Sequence, residues 1–226
     1  MLVVAIDGPA GAGKSTVARA LSRRLGVQYL DTGAMYRAVT WAVRDRGLDP
    51  ADVDSVATLA ATLDIDVGLD RVTVNGRDVT SAIRTREVTG DVSTVAANSE
   101  VRADMRRRQR AWGEVRRGGV IEGRDIGTVV FPDAVLKVYL TASPRTRAER
   151  RVMESGGDVD VIEAEIAERD MKDSSRSDSP LTSSSDSVIV DTTGRTIDEV
   201  VDHLEKLVTE RTTTGSEWSR VEGDHR

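Results

Sequence analysis

The chain contains no cysteine and only two histidines, His203 and His225, so neither a disulfide framework nor a zinc cluster can hold it together. Long hydrophobic runs are missing too. Nowhere do about 18 apolar residues follow one another, and no basic leader precedes the first apolar stretch at Leu2. The expectation is a soluble, cytoplasmic protein in a reducing setting, with no membrane partner. Lysine is scarce: of 32 basic residues only Lys14, Lys137, Lys172 and Lys206 are lysine, and the rest are arginine. A net charge of −6 argues against a general nucleic-acid binder. The planar fork of arginine suits phosphate recognition, so where the arginines cluster matters more than their total. At 226 residues the chain is long enough for a sizeable core, burying roughly 70 to 75% of its unfolded surface.

What is present begins at once. Leu2 to Ile6 form an apolar run that enters Gly8-Pro9-Ala10-Gly11-Ala12-Gly13-Lys14-Ser15-Thr16, followed by a helical pattern at Val17, Leu21 and Leu25. Gly8 to Ser15 fits G-x-x-x-x-G-K-[ST] in the strand, turn, helix context that this motif requires. The glycines let backbone N–H groups face a polyphosphate, and the helix adds the positive end of its dipole. Lys14 can reach the β- and γ-phosphates, while the Ser15 hydroxyl is placed to ligate the magnesium ion that bridges them.

Val27 to Leu30 reads as a second buried strand, ending in Asp31-Thr32-Gly33 before a helix that carries Arg37. Polar groups at the carboxyl end of such strands are where open α/β sheets place ligands, and Thr32 reads equally as a helix N-cap. Residues 64–80 change character. Val72-Thr73-Val74 followed by Asn75-Gly76 signals an antiparallel hairpin inserted in the α/β alternation. Ser81 to Asn98, with Arg84, Arg86 and Ser93, reads as helical. The next helix sets Val101, Met105, Trp112 and Val115 on one stripe and Arg102, Arg106 and Arg110 on another. Those arginines repel one another, so either something anionic sits against them or they form a solvated face, partly paired with Glu114. Gly119 to Glu122 reads as a strand leading into Gly123-Arg124-Asp125-Ile126-Gly127, which is either a ligand-binding turn or an internally paired one. Leu136 to Leu140 is another strand. Ser143-Pro144 then caps a helix on which Arg147, Arg150 and Arg151 share a face. Ser155-Gly156-Gly157-Asp158 breaks it. On the following helix Arg169, Asp173 and Arg176 present together or form a surface ion pair. Ser187 to Val190 is a final strand, and Thr196 to Glu199 is a capping box. From Arg211 to Arg226 the apolar period is lost, which predicts a disordered tail.

An α/β nucleotide-binding core, an antiparallel insertion and arginines from separate segments favour phosphoryl transfer, a reaction run by positioning and electrostatics. The blocks DGPAGAGKST, LDTGAMYR, VTSAIRTREV, VRADMRRRQRAW, EGRDIGTVVFPDA and ERDMKDSSR, in that order, resemble the bacterial cytidylate kinases. The resemblance runs from Leu2 to about Val208. It implies a three-layer P-loop fold spanning 1–210 around a central parallel sheet. Within that domain it implies an acceptor-binding region at 31–100 holding the insertion, and a short lid at 145–158. The implied activity moves the γ-phosphoryl group of ATP, with Mg²⁺, to CMP or dCMP, giving ADP and CDP or dCDP, in a monomer without other partners. Residues Gly8 to Thr16 are implied at the ATP phosphates and magnesium. Arg37, Arg84 and Arg124 are implied around the acceptor phosphate, near Thr32, and Ser93, Arg102 and Asp125 on the cytosine. A carboxylate there makes chemical sense, because it can accept from the cytosine amino group and uracil has no such donor. Arg169 and Asp173 are implied at the ribose with Arg176 nearby, and Arg147 and Arg151 in the lid. Thr32 stands where the family pattern has serine, and Glu122 where some relatives have aspartate, so Glu122 is left out of the metal site. The competing readings are a kinase for UMP, AMP or shikimate, and a P-loop switch or ATPase module. Asp191 to Gly194 matches the D-x-x-G of GTPases superficially, but no N-K-x-D guanine reader follows.

Overall fold

The computed structural model describes residues 1–221. Its centre is β1, Leu2–Asp7, whose residues Leu2 to Ile6 are apolar on both faces, so that the strand is covered on both sides. Parallel strands flank it: β2 (Tyr29–Asp31), β6 (Gly118–Gly123), β7 (Leu136–Thr141) and β8 (Val188–Asp191), in the order β2-β6-β1-β7-β8. Side chains alternate along β1, so Val3 and Ala5 enter one core and Val4 and Ile6 the other. The second core is closed by α1 (Lys14–Leu25) and α8 (Ile197–Val221), through Val17 and Leu21 from one and Val201, Leu204 and Val208 from the other. The first is closed by α2 (Thr32–Asp45), α3 (Val53–Thr62), α4 (Arg86–Ala97) and α5 (Ser99–Arg116). Helix, sheet, helix is the three-layer α/β arrangement.

The insertion is a separate antiparallel sheet of β3 (Ile65–Val67), β4 (Val72–Val74) and β5 (Arg77–Asp78). Its hairpin turns at Asn75 (φ 50°) and Gly76 (φ 77°), the pair of positive φ angles that a two-residue turn between right-twisted strands demands. Val67, Val72 and Val74 fix it to the first core. Two helices, α6 (Pro144–Ser155) and α7 (Val159–Ser174), stand beside the phosphate loop. Ser143 caps α6 by accepting from Thr146 N at 3.2 Å, and Asp158 caps α7.

Four sequence expectations need correction. The second strand starts at Tyr29 rather than Val27. Ser81 to Asn98 is two pieces, a 3₁₀ turn at Ala82–Arg84 and then α4, because Thr85 leaves the helical path to cap Val88 N. Val115 is 80% exposed: Phe131 packs on the bare backbone of Gly113, and past that point α5 leaves the core. Order does not stop at Arg211. Once the first turns of α8 are packed, each added residue continues a hydrogen-bonded ladder at little cost, and the helix runs on to Val221. Arg211 also reaches the Val135 carbonyl at 3.1 Å. The remainder of the expected tail, residues 222–226, lies outside the described residues.

Candidate active site

The phosphate loop is the first element of the site. A Cβ on Gly8 (φ 148°) would lie 2.0 Å from the Leu140 carbonyl oxygen, so no other residue fits where the loop leaves the sheet. Gly13 precedes α1 without any side-chain cap, which leaves first-turn N–H groups for a ligand. Lys14 Nζ donates to Pro9 O at 2.8 Å, folding the ammonium onto its own loop. Burial pushes Lys14 down to about 7, and the Arg124 and Arg169 guanidiniums push it further than Glu122 and Asp7 can restore.

A cleft of about 1950 Å³ opens from this loop, lined by Ala10 to Thr16 on one side. The far wall is arginine-rich. Arg124 Nε donates to Asp173 at 2.9 Å, and its Nη1 to the Gly8 carbonyl at 2.9 Å. Asp173 also faces Arg176 at 3.5 Å and Ser93 Oγ at 3.5 Å. Burial raises the Asp173 carboxyl, but Arg124, Arg169 and Arg176 outweigh it and hold it below the usual carboxylate range. Arg169 has no ion pair among the described residues, and its Nε is buried without a partner. Burial, and then Arg124, lower it to about 9. Arg37 likewise keeps a buried, unpartnered Nε, with its other end 3.6 Å from Asp31. Arg84 is exposed on the rim. Deeper in, Arg102 is 1% exposed, donates to Asp125 at 2.5 Å and to the Ala96 carbonyl at 3.3 Å, and lies over the Tyr36 ring. A surplus of guanidiniums with unmet donors is a site that calls for an anion.

The structure thus brings together Thr32, Arg37, Arg84, Ser93, Arg102, Arg124, Asp125, Arg169, Asp173 and Arg176 across from Lys14, Ser15 and Thr16, with Arg151 at the edge. Three expected site residues do not line the cleft. Gly8 and Pro9 face it only through neighbours, since their carbonyls take Arg124 and Lys14. Arg147 does not share an open face with Arg151. It is drawn under the loop, where it donates to Ala10 O at 3.1 Å and Ala142 O at 3.2 Å and pairs with Asp170. Thr32 is not the cap of α2. Asp31 takes that role, accepting from Ala34 N at 2.8 Å, and the Thr32 hydroxyl donates to the Glu122 carbonyl at 2.6 Å. The arginine row of α5 is bound by protein acceptors and not by Glu114: Arg106 pairs with Asp178 at 2.7 Å, and Arg110, although exposed, donates to the Val129 and Val130 carbonyls.

Sequence reasoning passed over Asp7 and Asp170 and gave no role to Asp31 and Glu122. Asp170 accepts the Ala10 amide at 3.1 Å. Asp7 accepts two backbone amides behind the cleft. Glu122 and Asp31 sit side by side at adjoining strand ends. Burial and then Asp31 raise Glu122, against the pull of Lys14 and the Tyr29 and Ser15 hydroxyls. A carboxylate at or next to the end of β1, β2 and β6, at Asp7, Asp31 and Glu122, was the available signal. Among the described residues no group of three or more His, Cys, Asp or Glu could cage a metal. The Ser15 hydroxyl, with Glu122 and Asp31 behind it, is an all-oxygen set that fits a magnesium ion carried in on phosphates and still largely hydrated.

A family model for cytidylate kinase matches residues 4–210. The cytidylate kinase of Mycobacterium leprae (strain Br4923) is 49% identical over 222 residues, which cover 96% of this chain and 99% of that protein. The bifunctional pantoate ligase/cytidylate kinase of Synechococcus sp. (strain WH7803) is 52% identical over 217 residues, covering 91% of this chain and 44% of that one. The chain therefore spans less than half the length of such bifunctional relatives. Among solved structures, an uncharacterized protein from Eubacterium ventriosum aligns with a TM-score of 0.52 at 13% identity, over 92% of this chain and 99% of the other. A sugar kinase from Janibacter sp. HTCC2649 aligns with a TM-score of 0.50 at 12% identity, over 92% and 95%. At such identities the likeness is one of fold alone.

Proposed function

From a chain that belongs to the cytidylate kinase family, we propose an enzyme that transfers the γ-phosphoryl group of ATP to CMP or dCMP, giving ADP and CDP or dCDP. The observation that carries this reading is the pair of opposed anion sites in one cleft, loop amides and Lys14 on one wall and the half-satisfied Arg37 and Arg169 on the other.

The residues divide the work. Loop residues Gly11 to Thr16 hold the donor phosphates, and Lys14 leaves the Pro9 carbonyl to meet them. Arg37, Arg84 and Arg124 grip the acceptor phosphate. Arg169, Asp173 and Arg176 hold the ribose. Asp125, aimed by Arg102, accepts from the cytosine amino group beside Ser93. Magnesium, held at Ser15, supplies neutralisation of the phosphate charge. The acceptor oxygen is already a phosphate anion, so no general base is needed, and the protein contributes alignment and fixed positive charge around a transition state whose charge spreads over the transferred group. Residues 145–158 act as a lid, with Arg151 reaching the phosphates on closure and excluding water. Arg147 steadies the loop from beneath. The same reading takes the protein to be a cytoplasmic monomer that acts on small molecules and not on nucleic acid.

A coupled assay with Mg-ATP across CMP, dCMP, UMP and AMP tests it. CMP and dCMP are expected to be used well ahead of the other two, and Asp125→Ala to erode that preference. Equal use of UMP would remove the base-reading role; failure to use any monophosphate would remove the kinase.

A further inference from the structure

Asp7 is the last residue of β1, directly ahead of the phosphate loop, and it is only 5% exposed. It is not among the residues that line the cleft. Its two carboxylate oxygens are instead spent on consecutive backbone amides of the loop after β6. Oδ1 accepts from Ile126 N at 2.9 Å and Oδ2 from Gly127 N at 2.8 Å. These amides open the π-helical turn Ile126–Val130, whose N-terminal boundary is Asp125. The turn closes back on Asp125, whose carbonyl accepts from Val129 N at 2.9 Å and Val130 N at 3.2 Å. On the near side the same loop is fastened again, by Arg124 Nη1 on the Gly8 carbonyl at 2.9 Å.

The geometry has one consequence for Asp125. Two amides on one carboxylate fix two successive peptide planes, and the first of them begins at Asp125 itself. The Asp125 backbone sits at φ −144° and ψ 22°. From that position its side chain meets Arg102 at 2.5 Å. We infer that Asp7 is a positioning residue for acceptor specificity, pinning the Ile126 and Gly127 amides so that Asp125 faces the cytosine amino group. The inference rests on the base-reading role given to Asp125 above. It also means that the base-reading loop is built on the strand that carries the donor's phosphate loop, rather than on the acceptor region.

Asparagine at position 7 has nearly the same shape but only one acceptor; its NH₂ would meet the second amide donor to donor. Asp7→Asn is therefore expected to lower the CMP-over-UMP ratio of kcat/KM about tenfold, the cost of one lost buried hydrogen bond to a charged group. KM for CMP should rise, with a smaller change in kcat. The unaltered enzyme supplies a second readout that needs no variant to fold. Burial pushes the Asp7 carboxyl up to about 7 and Asp125 adds to this, against the two amides and Lys14. The charged or titratable groups facing it are Lys14 from α1, Asp125 beyond β6 and Tyr139 from β7. Protonation removes an acceptor, so the CMP-over-UMP ratio is expected to fall as pH drops through about 7. Titration of the acceptor phosphate is common to both nucleotides and cancels in that ratio. A folded Asp7→Asn protein that keeps the parent ratio, or a parent ratio flat from about pH 8 to 6, would overturn the inference while leaving the base-reading role standing. A parent enzyme with no preference for CMP would overturn both.

Discussion

Lys14 shows what a single side chain carries here. In the free protein it donates to the Pro9 carbonyl and is held near pKa 7 by burial and by Arg124 and Arg169, a poor state for an ammonium whose task is to meet phosphate. A bound triphosphate reverses the balance, since an opposite charge within a few ångströms favours the protonated form. At pH 8 most of the free Lys14 is therefore neutral, and ATP binding draws a proton from solution. Calorimetry in two buffers of different ionisation enthalpy should register an uptake approaching one proton, with affinity falling as pH rises above about 7, and Lys14→Ala should abolish the uptake. A binding enthalpy independent of buffer would show that Lys14 is already charged in the free protein. Legibility at this scale depended on contiguity. Lys14, Ser15 and Arg124-Asp125 lie in short blocks whose chemistry can be read without a structure. Asp7, Asp31, Glu122 and Asp170 are lone carboxylates, and what each does depends on amides and guanidiniums far away in the chain, Asp170 on Ala10 and Arg147, Asp7 on Ile126 and Gly127. Arg147 was placed by helical periodicity with Arg151, but periodicity says which residues share a face and not how far a long side chain folds back.

Among the elements, the strand to phosphate-loop junction is the least tolerant. Gly8 combines φ 148° with a neighbouring carbonyl oxygen 2.0 Å from any Cβ, and that oxygen belongs to the backbone of β7 and cannot swing aside. Gly8→Ala is expected to destabilise the fold by at least about 3 kcal/mol, a backbone-strain penalty added to a steric one. Thermal unfolding would show a large drop in Tm; a shift of only a degree or two would mean that β1 and β7 part easily. Gly26→Ala is the contrast, since a Cβ there meets nothing within 4 Å and only the positive φ of 65° opposes it. Elements announced by local chemistry were legible: the β1 to α1 unit, the Asn75-Gly76 hairpin, the Ser143-Pro144 start of α6 and the Thr196 to Glu199 box, where Thr196 N bonds Glu199 at 2.8 Å. The arginine row of α5 was not, because the acceptors that neutralise it, Asp125, Asp178 and the Val129 and Val130 carbonyls, come from beyond the helix.

For the molecule as a whole, the order β2-β6-β1-β7-β8 places β1 in the middle and β6 beside it, and this sets the Lys14 loop against the Arg124-Asp125 turn although more than a hundred residues separate them. Strand order is a matter of which surfaces pair after collapse, so the parallel α/β class could be read from sequence while this adjacency came only with the resemblance to a family. The open cleft between α4, α6 and α7 and the phosphate loop leaves both anion sites exposed to incoming nucleotides, with the α6 to α7 segment standing at its mouth. Everything proposed depends on two nucleotides facing each other across that space. The most direct measurement is a crystal structure with CMP and a non-hydrolysable ATP analogue bound together. It should show the cytosine against Asp125 and Ser93, the acceptor phosphate among Arg37, Arg84 and Arg124, the ribose by Arg169 and Asp173, and the terminal phosphate of the donor on Lys14. Cytosine bound away from Asp125, or only one nucleotide in the cleft at saturating concentrations of both, would contradict the account.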